Sequence, residues 1–259
     1  MMRSRQLSLA VVTAALIALV PAIALGASFT VSPIQVYLSA KQTSAIVTVR
    51  NDSDESMRFQ LTAMKWDQSE TGEMQLTPTT DVVFFPRLLT IPRGGERNVR
   101  VGVVVPFGAT EKTYRLFIEE LPPTSDTAGG AQNSVRMRTR MGIPIFAMPT
   151  TGRAGAAITD LRVENGRVVL RLENRGTSHV IPEMIRVTGR TREGGAAFEK
   201  TINSWYVLAG RSQRFEVTLS DRECRGAASV SADVRIGELI NLTQTASVTA
   251  ASCGPSGAQ

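Results

Sequence analysis

The sequence predicts an all-β protein built from two β-sandwich domains. Three observations predict it. Apolar and polar residues alternate with a period of two in one short segment after another, and no segment repeats apolar residues at the helical period. Clusters of Gly, Pro, Asn, Asp and Ser separate these segments at about the spacing of sandwich strands. The pattern is interrupted once, by the small polar stretch PTTGRAGAA at 149–157, and then restarts. A chain of 259 residues is long enough for two domains of about 100–200 residues each.

Residues 1–26 stand apart. MMRSR supplies positive charge, LSLAVVTAALIALV is an apolar run, and Ala24 and Gly26 are small residues where a signal peptidase needs them. This predicts a secretory signal over 1–26, cleaved after Gly26. No later stretch approaches the roughly 20 apolar residues of a membrane span, so stable membrane insertion is not expected after cleavage.

The first domain, 27–149, follows strand by strand. FTVSPIQVYL (29–38) alternates around Pro33, which lacks an N–H and so belongs at an edge or a bulge. AIVTVRN (45–51) ends at an Asn-Asp-Ser turn. MRFQLTAMKWDQ (57–68) sets Phe59, Leu61 and Ala63 on one face and closes at the turn SETGEM. DVVFFP (81–86) stops at Pro86. After a turn at Pro92–Gly95, Val99, Val101 and Val103 alternate. TYRLFIEEL (113–121) is closed by Pro122 and Pro123. A loose loop then leads into SVRMRTRMGIPIFA (134–147). Seven strands within about 120 residues suit a sandwich.

That last strand divides its residues sharply. Val135, Met137, Thr139 and Met141 point one way, and Arg136, Arg138 and Arg140 the other. Long, flexible Met side chains suit a surface that fits more than one partner. The strand is either an ordinary core strand at a sheet edge or a strand lent to another protein.

The second domain, 150–259, carries strands at ITDLRVENG, RVVLRLENRG, IRVTGRT, TINSWYVL, FEVTLS, SADVRIGEL and TQTASVTA. Residues 254–259 are expected to fray. Trp66 and Trp205 are read as core or interdomain residues, one per domain.

Composition removes several classes of function. Aromatic residues make up 5% of the chain, too few for the stacking platforms of a single-stranded nucleic-acid binder. The net charge is +6, and losing Arg3 and Arg5 with the signal leaves +4, mostly Arg spread along strands. That is a modest bias towards acidic partners, not a nucleic-acid footprint. Cys224 and Cys253 are the only cysteines. In an exported protein such a pair forms one disulfide, closing a loop of roughly 28 residues, with two free thiols as the alternative.

No enzyme is legible. The one histidine, His179, is read as a loop residue with a surface or capping role, without the neighbours of a metal site or a triad. The glycine pairs at 94–95, 129–130 and 194–195 lack the strand-to-helix context of a phosphate loop. No catalytic residue, metal or cofactor is expected.

Two β-domains behind a signal, with TIPRGGERNVRV, then YRLFIEELPP, then a long strand ending IPIFAMP, resemble the PapD-like periplasmic chaperones of the chaperone–usher pilus pathway. The likeness runs through nearly all of the chain after the signal and is strongest from Phe84 to Pro149. MKWDQ together with MRTRMGIPIFA looks most like the archaic branch, which includes chaperones of spore-coat-U-type subunits.

The resemblance implies two immunoglobulin-like domains set at an angle, a periplasmic location and no enzymatic activity. It implies binding of pilin-like subunits by donor-strand complementation and their delivery to an outer-membrane usher. Val135, Met137, Thr139 and Met141 would be the donor side chains, and the loop 124–133 would order on binding. The well-studied branch of the family holds the subunit's C-terminal carboxylate with an Arg on the first strand and a Lys late in the donor strand, whereas in the archaic branch the Arg of the YRL motif looks like the replacement. The matching positions here are Gln35 and Pro144, which carry no charge. Arg115 of the YRL motif is the expected replacement, since a guanidinium grips a carboxylate through two hydrogen bonds, with Arg140 and Arg87 as lesser candidates. A self-capping homodimer of the free protein is compatible with the resemblance. The competing reading is a structural surface or pilus subunit, or an adhesin, with two β-sandwich domains.

Overall fold

A computed structural model describes residues 29–122 and 138–254. The loop 124–133, Val135 and Met137 lie outside those residues.

The first sandwich is made of ten strands: β1 (Phe29–Ser32), β2 (Val36–Leu38), β3 (Ser44–Asn51), β4 (Met57–Gln68), β5 (Met74–Pro78), β6 (Val82–Phe85), β7 (Leu88–Ile91), β8 (Glu96–Val103), β9 (Lys112–Leu121) and β10 (Arg140–Ala147). One sheet has the order β1-β3-β8-β6. The other runs β2-β10-β9-β4, with β5 and β7 both pairing along β4. The break at Pro33 is more than an edge or bulge. It splits 29–38 between the two sheets, β1 pairing with β3 and β2 running parallel to β10. The proline cannot donate to a ladder, so the chain changes sheets there. Phe29, Val49, Phe59, Val99, Leu116, Ile118 and Ile145 interlock between the sheets with almost no exposure.

The strand β5 has no counterpart in the sequence reading. It forms a hairpin with β4 but lies largely open to solvent, so it has no apolar alternation to reveal it. Within the described residues the final strand spans Arg140–Ala147.

The second sandwich contains β11 (Ala156–Glu164), β12 (Arg167–Asn174), β13 (Met184–Arg190), β14 (Ala196–Ile202), β15 (Ser212–Thr218), β16 (Ser229–Ile236) and β17 (Ile240–Ser247). Its sheets have the orders β11-β12-β15 and β14-β13-β16-β17. The strand expected across 201–208 is displaced. Gly194 takes positive φ, and the turn there starts β14 at Ala196. Trp205 and Tyr206 are thereby released from the sheet, and Val207 makes only a single bridge to Val180.

A short helix, α1 (Asp221–Gly226), was not visible in the periodicity. Its signal is local: Ser220 Oγ accepts from the Glu223 N–H, and the Glu223 carboxylate accepts from the Ser220 N–H, a reciprocal cap. Cys224 of α1 is disulfide-bonded to Cys253, in a 3-10 turn at Ala250–Cys253, across a separation of 29 residues. The bridge therefore staples the end of the chain to the second core. Replacing both cysteines by Ser should cost about 3 kcal/mol of stability in that sandwich, seen as a lower urea midpoint. An unchanged midpoint would show that packing alone holds α1.

Candidate functional site

The outer face of the β2-β10-β9-β4 sheet collects the candidate residues. Backbone register fixes which of them are neighbours. Pro144 of β10, Arg115 of β9 and Met64 of β4 form one row, and Gly142, Phe117 and Thr62 the next. Pro144 therefore stands directly across from Arg115. The uncharged position on β10 and the candidate anchor are cross-strand neighbours.

This face is also where the two sandwiches meet. In β4 the buried residues change sides. Phe59 and Leu61 point into the first core, whereas Trp66 and Gln68 are buried on the opposite face. Trp66 packs with Phe146, Tyr206 and Leu208 in a small cluster of its own. Gln68 Nε2 donates to the Tyr206 carbonyl at 2.6 Å, and its Oε1 accepts from the Leu208 N–H at 2.8 Å. Arg211 grips Asp67 through two hydrogen bonds, at 2.7 and 2.5 Å. The Gln35 amide donates to the Tyr206 hydroxyl and accepts from Tyr37 at 2.8 Å. Gln35 thus ties the domains together through Tyr206.

His179 is not a surface residue. Its side chain is 9% exposed, with Nδ1 2.8 Å from Glu111 Oε1. Its ring stacks on Phe146 at 3.8 Å. Glu111 itself is anchored by its N–H donating to the Thr177 carbonyl at 2.8 Å. Neither role could be read from the sequence, because each residue's partner belongs to the other domain.

Arg115 is 7% exposed. Its guanidinium carbon lies 4.3 Å from the Trp66 ring centroid and 5.9 Å from that of Trp205. One Nη1–H donates to the Gly142 carbonyl at 3.3 Å. Its Nε is buried and has no hydrogen-bond partner among the described residues; the same holds for the Trp66 indole N–H. Burial pushes the guanidinium pKa down from its usual value, with the Tyr206 hydroxyl opposing that shift. Two aromatic faces thus enclose a cation without supplying an anion. The rings and the Gly142 carbonyl offset part of its desolvation, and a counter-charge would offset more.

Gly142 makes this packing possible. A Cβ there would lie 2.9 Å from Phe117 Cε1, closer than such atoms approach. Arg140 lies beyond Phe117, over its ring at 4.0 Å, with Nε 3.6 Å from Glu119 Oε2. Arg140 is therefore already paired, in contrast to Arg115. Arg87 lies away from this face, 5.6 Å from the Phe84 ring centroid.

Of the candidate donor side chains, two lie within the described residues. Thr139 is half-buried, and its carbonyl accepts from the Glu120 N–H at 3.0 Å. Met141 packs against the first domain's own core, continuing the row of Ile143, Ile145 and Ala147. Among the described residues no group of His, Cys, Asp and Glu could hold a metal, and no helix is long and apolar enough to cross a membrane.

Residues 28–152 match the family model for the pili and flagellar-assembly chaperone, PapD N-terminal domain. Among solved structures, the chain is similar to the CsuC–CsuE chaperone–tip adhesion subunit pre-assembly complex from the archaic chaperone–usher Csu pili of Acinetobacter baumannii. There the TM-score is 0.58 at 19% identity, covering 83% of this chain and 98% of that one. The class 5 fimbriae chaperone CfaA gives a TM-score of 0.54 at 16% identity, with coverage of 84% and 98%. The Salmonella enterica SafA pilin in complex with the SafB chaperone gives 0.54 at 16%, with coverage of 84% and 95%. No curated protein matches the sequence. At these identities the structures speak for the shared two-sandwich fold, and the family match speaks for descent. The first sandwich is thus a PapD N-terminal domain of the pili and flagellar-assembly chaperones.

Proposed function

We propose that this protein is a periplasmic chaperone that captures pilin-like subunits by donor-strand complementation and delivers them to an outer-membrane usher. The proposal divides the chain into a signal at 1–26, a chaperone domain at 27–149 and a second domain at 150–259. The carrying observation is Arg115: a guanidinium enclosed by aromatic rings, without a carboxylate among the described residues, on the strand beside the proposed donor strand. A subunit's C-terminal carboxylate would complete it. CsuC and SafB each occur in a complex with a subunit, CsuE and the SafA pilin respectively, which supports a subunit as the cargo here.

The mechanism follows from strand addition. The subunit's terminal strand aligns along β10, and main-chain hydrogen bonds form with whatever its sequence. The Arg115 anchor sets the register by holding the strand's last residue. Val135, Met137 and Thr139 then fill successive pockets in the subunit's open groove, and the subunit's bare strand edges are covered. Met141 marks the limit of the loan, because it packs on the first domain's own core. No nucleotide is required. The subunit, completed by a borrowed strand, retains the free energy that drives later polymerisation.

Three outcomes test this by co-expression with a candidate subunit and pull-down from the periplasm. Met137→Asp should abolish subunit co-purification without lowering the chaperone's own melting temperature, since it places a charge in an apolar groove. Met141→Asp should abolish capture and also destabilise the free chaperone by about 1–3 kcal/mol. Arg115→Met should weaken capture roughly 30-fold or more, corresponding to the ~2 kcal/mol lower limit for breaking a buried charge pair. The free Arg115→Met protein should remain folded, because the substitution removes an uncompensated charge. Subunit yield unchanged by Arg115→Met would remove the anchor.

A further inference from the structure

Trp205 stands at the mouth of the Arg115 cleft, and packing alone does not account for it. It is 45% exposed, whereas Trp66 on the other side of the guanidinium is 1% exposed. Its support is firm. The indole meets Tyr206 edge-on, with centroids 5.3 Å apart and planes at 89°. Tyr206 is held by the Gln35 amide at its hydroxyl and by Gln68 Nε2 at its carbonyl. A large apolar ring is thus displayed, on a fixed base, 5.9 Å from a buried cation that has no counter-ion among the described residues.

Covalent geometry decides what this surface meets. The last Cα of a polypeptide is bonded directly to its terminal carboxylate carbon. A chain end whose carboxylate reaches Arg115 therefore brings its final side chain within one side-chain length of the guanidinium. Trp66 is enclosed and has no free face to offer. Trp205 has one. Covering it with apolar surface removes that surface from water, and a planar ring gains further from aromatic contact.

We infer that Trp205 reads the final side chain of the cargo, so that the cleft selects chain ends combining a free carboxylate with an apolar, preferably aromatic, last residue. This rests on Arg115 being the carboxylate anchor. Trp205 acts as a specificity residue supplied by the second domain, while the donor side chains of the first domain read the groove.

The chain has two tryptophans, so uniformly 15N-labelled full-length mature protein gives two indole N–H signals, assignable with Trp66→Phe and Trp205→Phe. The probes are three acetylated pentapeptides of alternating threonine and valine. One ends in phenylalanine with a free carboxylate, one ends in glycine with a free carboxylate, and one is the phenylalanine peptide as its C-terminal amide. The phenylalanine acid should shift the Trp205 signal and bind roughly ten-fold more tightly than the glycine acid, about 1.4 kcal/mol. The amide should bind at least about ten-fold more weakly than the acid. Trp205→Ala should bring the phenylalanine-to-glycine ratio to about one, with both acids weakened by the opening of the Arg115 enclosure, and Trp205→Phe should restore the ratio. If phenylalanine and glycine acids bind the unaltered protein equally and the amide is still weak, the anchor stands and the selection by Trp205 is wrong. A ratio that survives Trp205→Ala also overturns that selection. If acid and amide bind alike, or no peptide moves either indole, the anchor itself fails and the inference falls with it.

Discussion

An unpaired cation in an aromatic enclosure is the constraint on which this structure turns. Arg115 sits on the outer face of β9, between Trp66 of its own sandwich and Trp205 of the other. Arg115 is buried and no carboxylate among the described residues pairs with it, so a bound anion would find an unpaired guanidinium there. A low-dielectric wall also strengthens whatever ion pair forms against it. The absence of a side chain at Gly142 is part of the same arrangement, because Phe117 fills the space beside Arg115 that a Cβ would obstruct.

The enclosure exists only while the two sandwiches keep their relative placement. Four separate contacts maintain it: the Trp66–Phe146–Tyr206–Leu208 cluster, the two hydrogen bonds of Gln68, the Arg211–Asp67 pair, and Glu111 with His179. They differ in kind. The apolar cluster contributes burial, Gln68 satisfies backbone groups that would otherwise be orphaned, and the Arg211–Asp67 pair is exposed and contributes little stability while fixing direction. Gln35 adds a further strut between the domains through the Tyr206 hydroxyl.

Much of the fold was legible because sandwich strands bury one face. Val99, Val101 and Val103 declared β8, and Phe59 and Leu61 declared the first half of β4. The failures have physical causes. β5 is exposed on both faces and so carries no pattern. The strand expected at 201–208 was misplaced because Trp205 and Tyr206 look like strand residues, yet they serve the interdomain contact. Helix α1 was announced only by its capping residues, Ser220 and Glu223. Within the site, Arg115 could be singled out because it shares a strand face with Phe117 and stands in the YRL motif. The roles of Glu111, His179, Trp205 and Gly142 could not, because each depends on a neighbour brought close by pairing register or by the docking of the other domain.

The row of side chains along β10 has one further consequence. Ile143, Ile145 and Ala147 belong to the host's core, and Met141, on the same face, already touches it. On the proposed strand donation, evolutionary change in cargo preference would meet a gradient along a single strand. A substitution at Met141 would then alter two fitness terms at once, the grip on the client and the host's own folding, and this position would drift only within narrow limits. Thr139, half-buried and held by its backbone to Glu120, is less constrained. Divergence between paralogous chaperones of this type should accumulate towards the open end of the strand, leaving its inner half as the inherited part.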